Sequence, residues 1–260
     1  MSWWWAAAAG AGAAAFSARY HWWRPRLAGA PVLMYHQVRE DLEGTPLPKL
    51  RVRPKKFAAQ LEALERRGYQ VVSLGRALGP DPPAKAAVLT FDDAYEDFAR
   101  NAWPLLKERG MGATVFVVTG QIGGVNAWDQ GKGIPPAPLL DAEGIRELAA
   151  QGVEFGGHGH THRDLTGLDD AGLAAELAAC RDALAGLLGA PPRVFSYPYG
   201  RYDDRVKRAA AAAGFTAACG TRPGLLNAAS DPLALGRIIV KRSDGALDFA
   251  LKLTRARSRW

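Results

Sequence analysis

From residue 30 onward the chain alternates short apolar runs with longer stretches in which apolar residues return every three or four positions. The runs APVLMYH (30–36), AAVLTF (86–91), ATVFVV (113–118), VEFGG (153–157), RVFSYP (193–198), FTAAC (215–219) and RIIV (237–240) read as strands buried on both faces. Between them, KKFAAQLEALERRGY places Phe57, Leu61 and Leu64 at helical spacing and stops at Gly68. Residues 95–110, 141–152, 168–189 and 202–214 read as further helices, and the Gly- and Pro-rich residues 120–138 as a long loop. Strand followed by helix, repeated about seven times, predicts parallel strands with covering helices, in the α/β class. The repetition suits a (β/α) barrel better than an open sheet, and no glycine-rich dinucleotide fingerprint follows the first strand. No internal boundary is visible, so residues 30–245 read as one catalytic domain. Residues 1–29 read as an apolar and basic leader, and 246–260 as a basic tail.

Charge changes the picture only at the two ends. The net charge of +7 comes from Arg19, Arg24 and Arg26 near the start and from seven Lys or Arg against two Asp after residue 236. The body between is nearly neutral, which argues against a groove for a nucleic-acid backbone. Basic ends fit an anionic membrane surface better. Residues 3–17 (WWWAAAAGAGAAAFS) carry no charge and precede the three arginines. The run is short of the ~20 residues of a spanning helix, and without a positive region before it, it makes a poor signal peptide. Association with a bacterial inner membrane or cell envelope is the expectation, on a face that the sequence leaves open. Cys180 and Cys219 form no close pair and read as buried thiols.

The residues able to do chemistry directly follow the apolar runs: His36, then Asp92 and Asp93, then FGGHGHTHRDL (155–165), then YPYG (197–200). In a (β/α) barrel the active site lies at the C-terminal ends of the strands, so these four distant segments converge on one rim. An acidic pair before a helix is also an ordinary N-cap, with Glu96 reaching back. Three of the five histidines within five residues tilt the balance toward chemistry, because Asp with two His is a ligand set for a catalytic divalent ion. On a helical turn His158 and His162 share a face; on an extended strand His160 would join them, although Gly156, Gly157 and Gly159 argue against a regular strand. Of the two aspartates, one would bind the ion while its neighbour takes a proton from water, whose pKa such an ion lowers toward ~7.

These motifs, TFDD (90–93), His-x-x-x-His then Asp-Leu (158–165), and YPYG, together with VLMYH and FAAQLEALERRGYQVVSL, resemble the polysaccharide deacetylases (the NodB-homology, or carbohydrate esterase family 4, proteins) over roughly residues 30–240. The resemblance implies a distorted (β/α) barrel of seven or eight strands and one divalent ion of the zinc type. It implies Asp93, His158 and His162 as metal ligands, Asp92 as general base and the Tyr199 N–H as oxyanion donor, since Pro198 has none. The reaction would be removal of N-acetyl groups from a bacterial polysaccharide or lipid-linked glycan by metal-bound water. The sequence departs from the family pattern in four places. Gly159 stands where Ser or Thr is common, Ala94 where Gly follows TFDD, and Ser196 where an Arg often pairs with the base. The late Leu-x-His that supplies a general acid in many members is missing. Arg163 or Arg237 is the candidate for the missing charge. His36, His160 or the metal site itself is the candidate source of the proton for the leaving amine. Tyr197, Pro198 and Trp128 are candidates for lining the sugar site, although Trp128 equally suits a small local core; the motif favours a functional role for Tyr197 and Tyr199.

The missing acid motivates one alternative, a weak or inactive carbohydrate-binding protein on the same fold. A dinuclear phosphatase would need more carboxylate and histidine ligands than the chain offers.

Overall fold

A computed structural model describes residues 25–40 and 50–256 continuously, together with residues 8, 10–12, 14, 17 and 23. The uncharged run 3–17 lies for the most part outside the described residues, as does the end of the basic tail. Among the described residues no helix is long and apolar enough to cross a membrane.

In chain order the first half comprises β1 (Ala30–Tyr35), β2 (Gln37–Val38), β3 (Arg51–Val52), α1 (Pro54–Arg66), β4 (Gln70–Val72), α2 (Leu74–Ala77), β5 (Ala86–Phe91), α3 (Trp103–Glu108) and β6 (Thr114–Val117). The second half comprises α4 (Ala142–Ala150), β7 (Glu154–Gly157), α5 (Asp170–Leu188), β8 (Val194–Ser196), α6 (Asp204–Ala212), β9 (Ala217–Cys219), β10 (Leu225–Leu226), β11 (Ile238–Ile239) and α7 (Ala246–Arg255). Parallel pairing runs β11–β1–β5–β6–β7–β8–β9, with β4 added beside the start of β5 and β10 antiparallel to the start of β1. A parallel bridge from Cys219 to Leu235 returns β9 to the segment that leads into β11. The sheet thus curls into the distorted (β/α) barrel that the alternation predicts.

Strand periodicity of two divides the core. Leu33, Tyr35, Leu89, Phe91, Val115, Val117 and Phe155 pack outward against the helices, with Phe57, Leu61 and Leu64 of α1 among their partners. Their strand neighbours Val32, Val88, Phe116, Val194 and Cys219 pack on the opposite face with Leu235 and with Leu74 of α2. This second set fills the barrel. Following its parity up β5 puts Thr90 and then Asp92 on the interior side at the rim, and up β8 it puts Ser196 there.

Three elements differ from the pattern. The stretch 95–110 is not one helix: Phe98–Ala102 forms a widened π-type turn and the α-helix begins at Trp103. Pro104, in the first turn of α3, has no N–H with which to continue an α ladder from the preceding turn. The tail is not a tail, because Ala246–Arg255 is α7, which buries Phe249, Leu251 and Leu253. Its Lys252 Nζ donates to the Ile239 carbonyl at 2.7 Å and lies 3.4 Å from Asp244 Oδ2, so part of the basic C-terminal charge is spent inside the fold. The long loop folds back on the barrel through bridges from Val125 to Pro138 and from Tyr95 to Leu139, with Leu140 N–H donating to Ala94 O.

The glycines of β7 are required by packing. A Cβ on Gly156 would lie 2.6 Å from the Val194 carbonyl oxygen and 2.8 Å from the Phe116 ring. Gly156→Ala is expected to lower unfolding stability by about 1–3 kcal/mol, or to prevent folding, as overpacking does. Urea denaturation beside Gly167→Ala, where nothing lies within 4 Å of the added methyl, checks it.

Candidate active site

At the C-terminal ends of the strands a cavity of about 310 Å³ is lined by His36, Asp92, Asp93, His158, His162 and Tyr199, with Trp128 and Asp129 from the long loop forming one wall. Such a volume suits a single sugar residue or its acyl arm. The rim convergence expected from strand ends is therefore realised.

Asp92 is buried and meets Arg237 in a two-pronged ion pair, Nη1 to Oδ1 at 2.6 Å and Nη2 to Oδ2 at 2.8 Å. The other guanidinium bonds go to Gly220 O (2.9 Å, from Nε), Thr90 Oγ1 (3.2 Å) and Ser196 Oγ (2.9 Å). The flat group also lies over the Phe116 ring. Burial by itself pushes the Asp92 carboxyl up, but Arg237, with smaller help from His158 and His36, outweighs it and holds the group well below the usual carboxylate range. Arg237 thus occupies the place that the sequence left to either arginine. Arg163 is exposed and does not make this contact, because the loop that carries it turns its side chain to solvent. Ser196, the small residue where an arginine is common, leaves room for Arg237 and bonds it.

Asp93 points the other way. Its Oδ1 lies 3.5 Å from His158 Nε2 and 3.5 Å from His162 Nε2, and it is buried with no hydrogen-bond partner. One ligand atom from each of the three residues lies within 4.8 Å of the others. His158 Nδ1 donates to the Ser196 carbonyl at 2.7 Å, which fixes the tautomer and leaves Nε2 as a free lone pair. His162 is held by rings, Trp128 stacked at 4.5 Å and Tyr199 edge-on at 4.7 Å, and its Nδ1 has no partner. Burial, with the charges of Asp92 and Asp129, pushes Asp93 well up, while burial pushes His158 down and, with His158 beside it, His162 to about 2. Two neutral imidazoles facing a buried carboxylate oxygen with no hydrogen-bond partner form a group that could hold a metal ion, and two nitrogens with one oxygen fit the donor set of a zinc-type ion with open positions.

Backbone strain orients the set. Asp93, Ala94, His162 and Tyr199 all have left-handed φ, at 73°, 54°, 58° and 58°. The successive turns at Asp93 and Ala94 let neighbouring carboxylates face different partners. His160 does not join the ligands: its Nδ1 pairs with Thr119 Oγ1 at 3.0 Å. Tyr95, which the sequence does not single out, joins Asp93 in the lining of the cavity. Of the expected sugar-contacting residues, Trp128 borders the cavity, whereas Tyr197 and Pro198 do not; Tyr199, expected as the oxyanion donor, also lines it. Tyr197 is fully buried among Phe195, Phe215 and Leu177, with its hydroxyl on Leu233 O at 2.9 Å. Pro198 is buried beside Gly159. Alternation along the segment is the reason: Tyr197 turns into the core, and the kink at Tyr199 turns only that ring outward.

The family model for polysaccharide deacetylases matches residues 79–218, which carry both aspartates and the histidine loop. The chain belongs to the polysaccharide deacetylase family. It is 30% identical over 218 residues to YxkH of Bacillus subtilis (strain 168), a protein assigned to these enzymes, covering 82% of this chain and 72% of that one. It is 26% identical over 131 residues to the poly-beta-1,6-N-acetyl-D-glucosamine N-deacetylase of Staphylococcus aureus (strain MRSA252), covering 47% and 43% of the two chains. Among solved structures, the Streptococcus pyogenes deacetylase PplD in complex with acetate superposes with a TM-score of 0.74 at 28% identity, over 87% of this chain and 98% of that chain.

Zinc reconstitution followed by elemental analysis is expected to give about one ion per deacetylase chain. Asp93→Ala, His158→Ala and His162→Ala are expected to lose it. His160→Ala is expected to keep it.

Proposed function

We propose that this deacetylase is a metal-dependent N-deacetylase of a bacterial envelope polysaccharide or lipid-linked glycan. The observation that carries this reading is a carboxylate kept ionised by Arg237 beside a second carboxylate that, with two neutral histidines, lacks only a cation. A zinc-type ion held by Asp93, His158 and His162 would supply Lewis acidity to the acyl oxygen and to water. Asp92, held out of that ligand set by its two bonds to Arg237, takes the proton of the attacking water. The Tyr199 N–H at the mouth faces the oxyanion.

The proton for the leaving nitrogen needs a different source from the one the motif pattern suggests. Burial, helped by the charge of Arg237 against that of Asp92, pushes the His36 imidazole down to about 4, so it is neutral at pH 7 and a poor acid. His160 is turned away on Thr119. The proton gained by Asp92 is therefore returned to the amine as the C–N bond breaks, giving acetate and a free amino sugar. His36 is left to donate a hydrogen bond to the substrate. Trp128 and Tyr199 supply apolar faces for the pyranose ring. The uncharged run 3–17 and the arginines that follow it support a substrate made or carried at the inner membrane.

Acetate release from N-acetylglucosamine oligomers and from poly-N-acetylglucosamine tests the reading. Asp92→Asn is expected to lower kcat about 10²–10⁴-fold while the zinc content stays that of wild type. Binding of these glycans by zinc-loaded wild type without any acetate release would instead select the carbohydrate-binding alternative that the missing Leu-x-His motivates.

A further inference from the structure

The histidine loop has to bring two imidazoles to one point from irregular backbone. Gly159 and His162 are both left-handed, at φ 79° and 58°. One side of the loop is tied to the end of β6, where Thr119 N–H donates to Gly159 O at 3.2 Å and Gly120 N–H to His160 O at 2.8 Å. The other side is tied to a single residue of α5. Glu176, buried although it is a carboxylate, accepts at Oε1 from His160 N–H (2.8 Å) and Thr161 N–H (2.6 Å). The Thr161 hydroxyl lies 3.1 and 3.0 Å from its two oxygens. Each of these hydrogen bonds falls between the ligands His158 and His162.

We propose that Glu176 is a positioning residue of the metal centre, its carboxylate gathering the His160 and Thr161 amides so that His158 and His162 converge on Asp93. The proposal rests on the reading that these three residues hold an ion. It also accounts for Gly159. A Cβ there would stand 3.1 Å from Glu176 Oε1 and 3.5 Å from the Pro198 ring, on backbone that disfavours any side chain. The serine or threonine common at this position in the family would force the Glu176 carboxylate to shift by a few tenths of an ångström away from the amides it holds, so Gly159 and Glu176 act as a pair. The hydrogen bonds of Glu176 go to backbone N–H groups and to the Thr161 hydroxyl. Its effect passes through the backbone, as outer-shell partners act on metal ligands.

The test is the zinc dissociation constant of the full chain by chelator competition, with thermal unfolding of the metal-free protein measured alongside. Glu176→Ala is expected to weaken zinc binding about 10–100-fold, and kcat is expected to return toward wild type at saturating zinc. Glu176→Gln, whose amide oxygen still accepts both N–H groups, is expected to stay closer to wild type than Glu176→Ala. Gly159→Ala is expected to weaken zinc as well, and to add less in the Glu176→Ala background than alone. Wild-type zinc affinity in Glu176→Ala would overturn the proposal. So would a loss fully explained by the fraction of chain unfolded. A wild-type chain that binds zinc but releases no acetate would overturn the deacetylase reading and leave this one standing; one that binds no zinc would remove both.

Discussion

A base at the bottom of a dry pocket must stay charged without being captured as a metal ligand. The pair between Asp92 and Arg237 meets that requirement, and much of the fold is arranged around it. Asp92 directly follows β5, and Arg237 directly precedes β11 on the far side of β1, 145 positions away in the chain. Taking two charges out of water costs several kcal/mol per ion, recovered only where the geometry is good and the remaining donors are satisfied. Here every N–H of the guanidinium is used, on Asp92, Thr90, Ser196 and the Gly220 carbonyl. The pair itself spans β1, because β11 and β5 flank that strand. Thr90 of β5, Ser196 of β8 and Gly220 just after β9 complete the guanidinium's bonds from around the barrel interior.

The two carboxylates are neighbours in sequence and opposites in electrostatics. Asp92 faces a cation and is held ionised; Asp93 faces two neutral imidazoles and burial drives it toward protonation. What separates them is a backbone reversal in which Asp93 and Ala94 are both left-handed. Alanine there costs about 1–2 kcal/mol relative to the glycine common in the family. Its methyl is buried in the outer core, and the Leu140 N–H bonded to its carbonyl ties the long loop, with Trp128, to the site. The strain is thus kept where it aims a ligand.

Much of this was legible in the residue pattern because it is local. Runs such as AAVLTF, matched at Ala86–Phe91, and the spacing of Phe57, Leu61 and Leu64 follow from burial with a fixed period. The aspartates and the i, i+4 histidines could be named because strand ends set where they lie. The illegible parts depend on contacts through space. Nothing near Arg163 or Arg237 in sequence distinguishes them; only the long-range pairing of β11 with β1, which lies beside β5, brings one to Asp92. Tyr197 looked like its neighbour Tyr199 until the kink sent them to opposite sides. Glu176 resembled any acidic residue on a helix surface, because its partners in the histidine loop come together only in the fold. The C-terminal charges hid an amphipathic helix.

The most direct measurement is the pH dependence of kcat/KM for acetate release by zinc-loaded wild type and by Arg237→Met. With Arg237 present, Asp92 remains a carboxylate to well below its usual range. Without it, burial dominates, the Asp92 pKa rises, and the base is protonated at higher pH. The acidic limb of the profile is therefore expected to move up by about 1–3 pH units in the variant, at unchanged zinc content. A profile of wild-type shape and position, merely lower in amplitude, would contradict the assignment of Asp92 as the base that Arg237 holds ready.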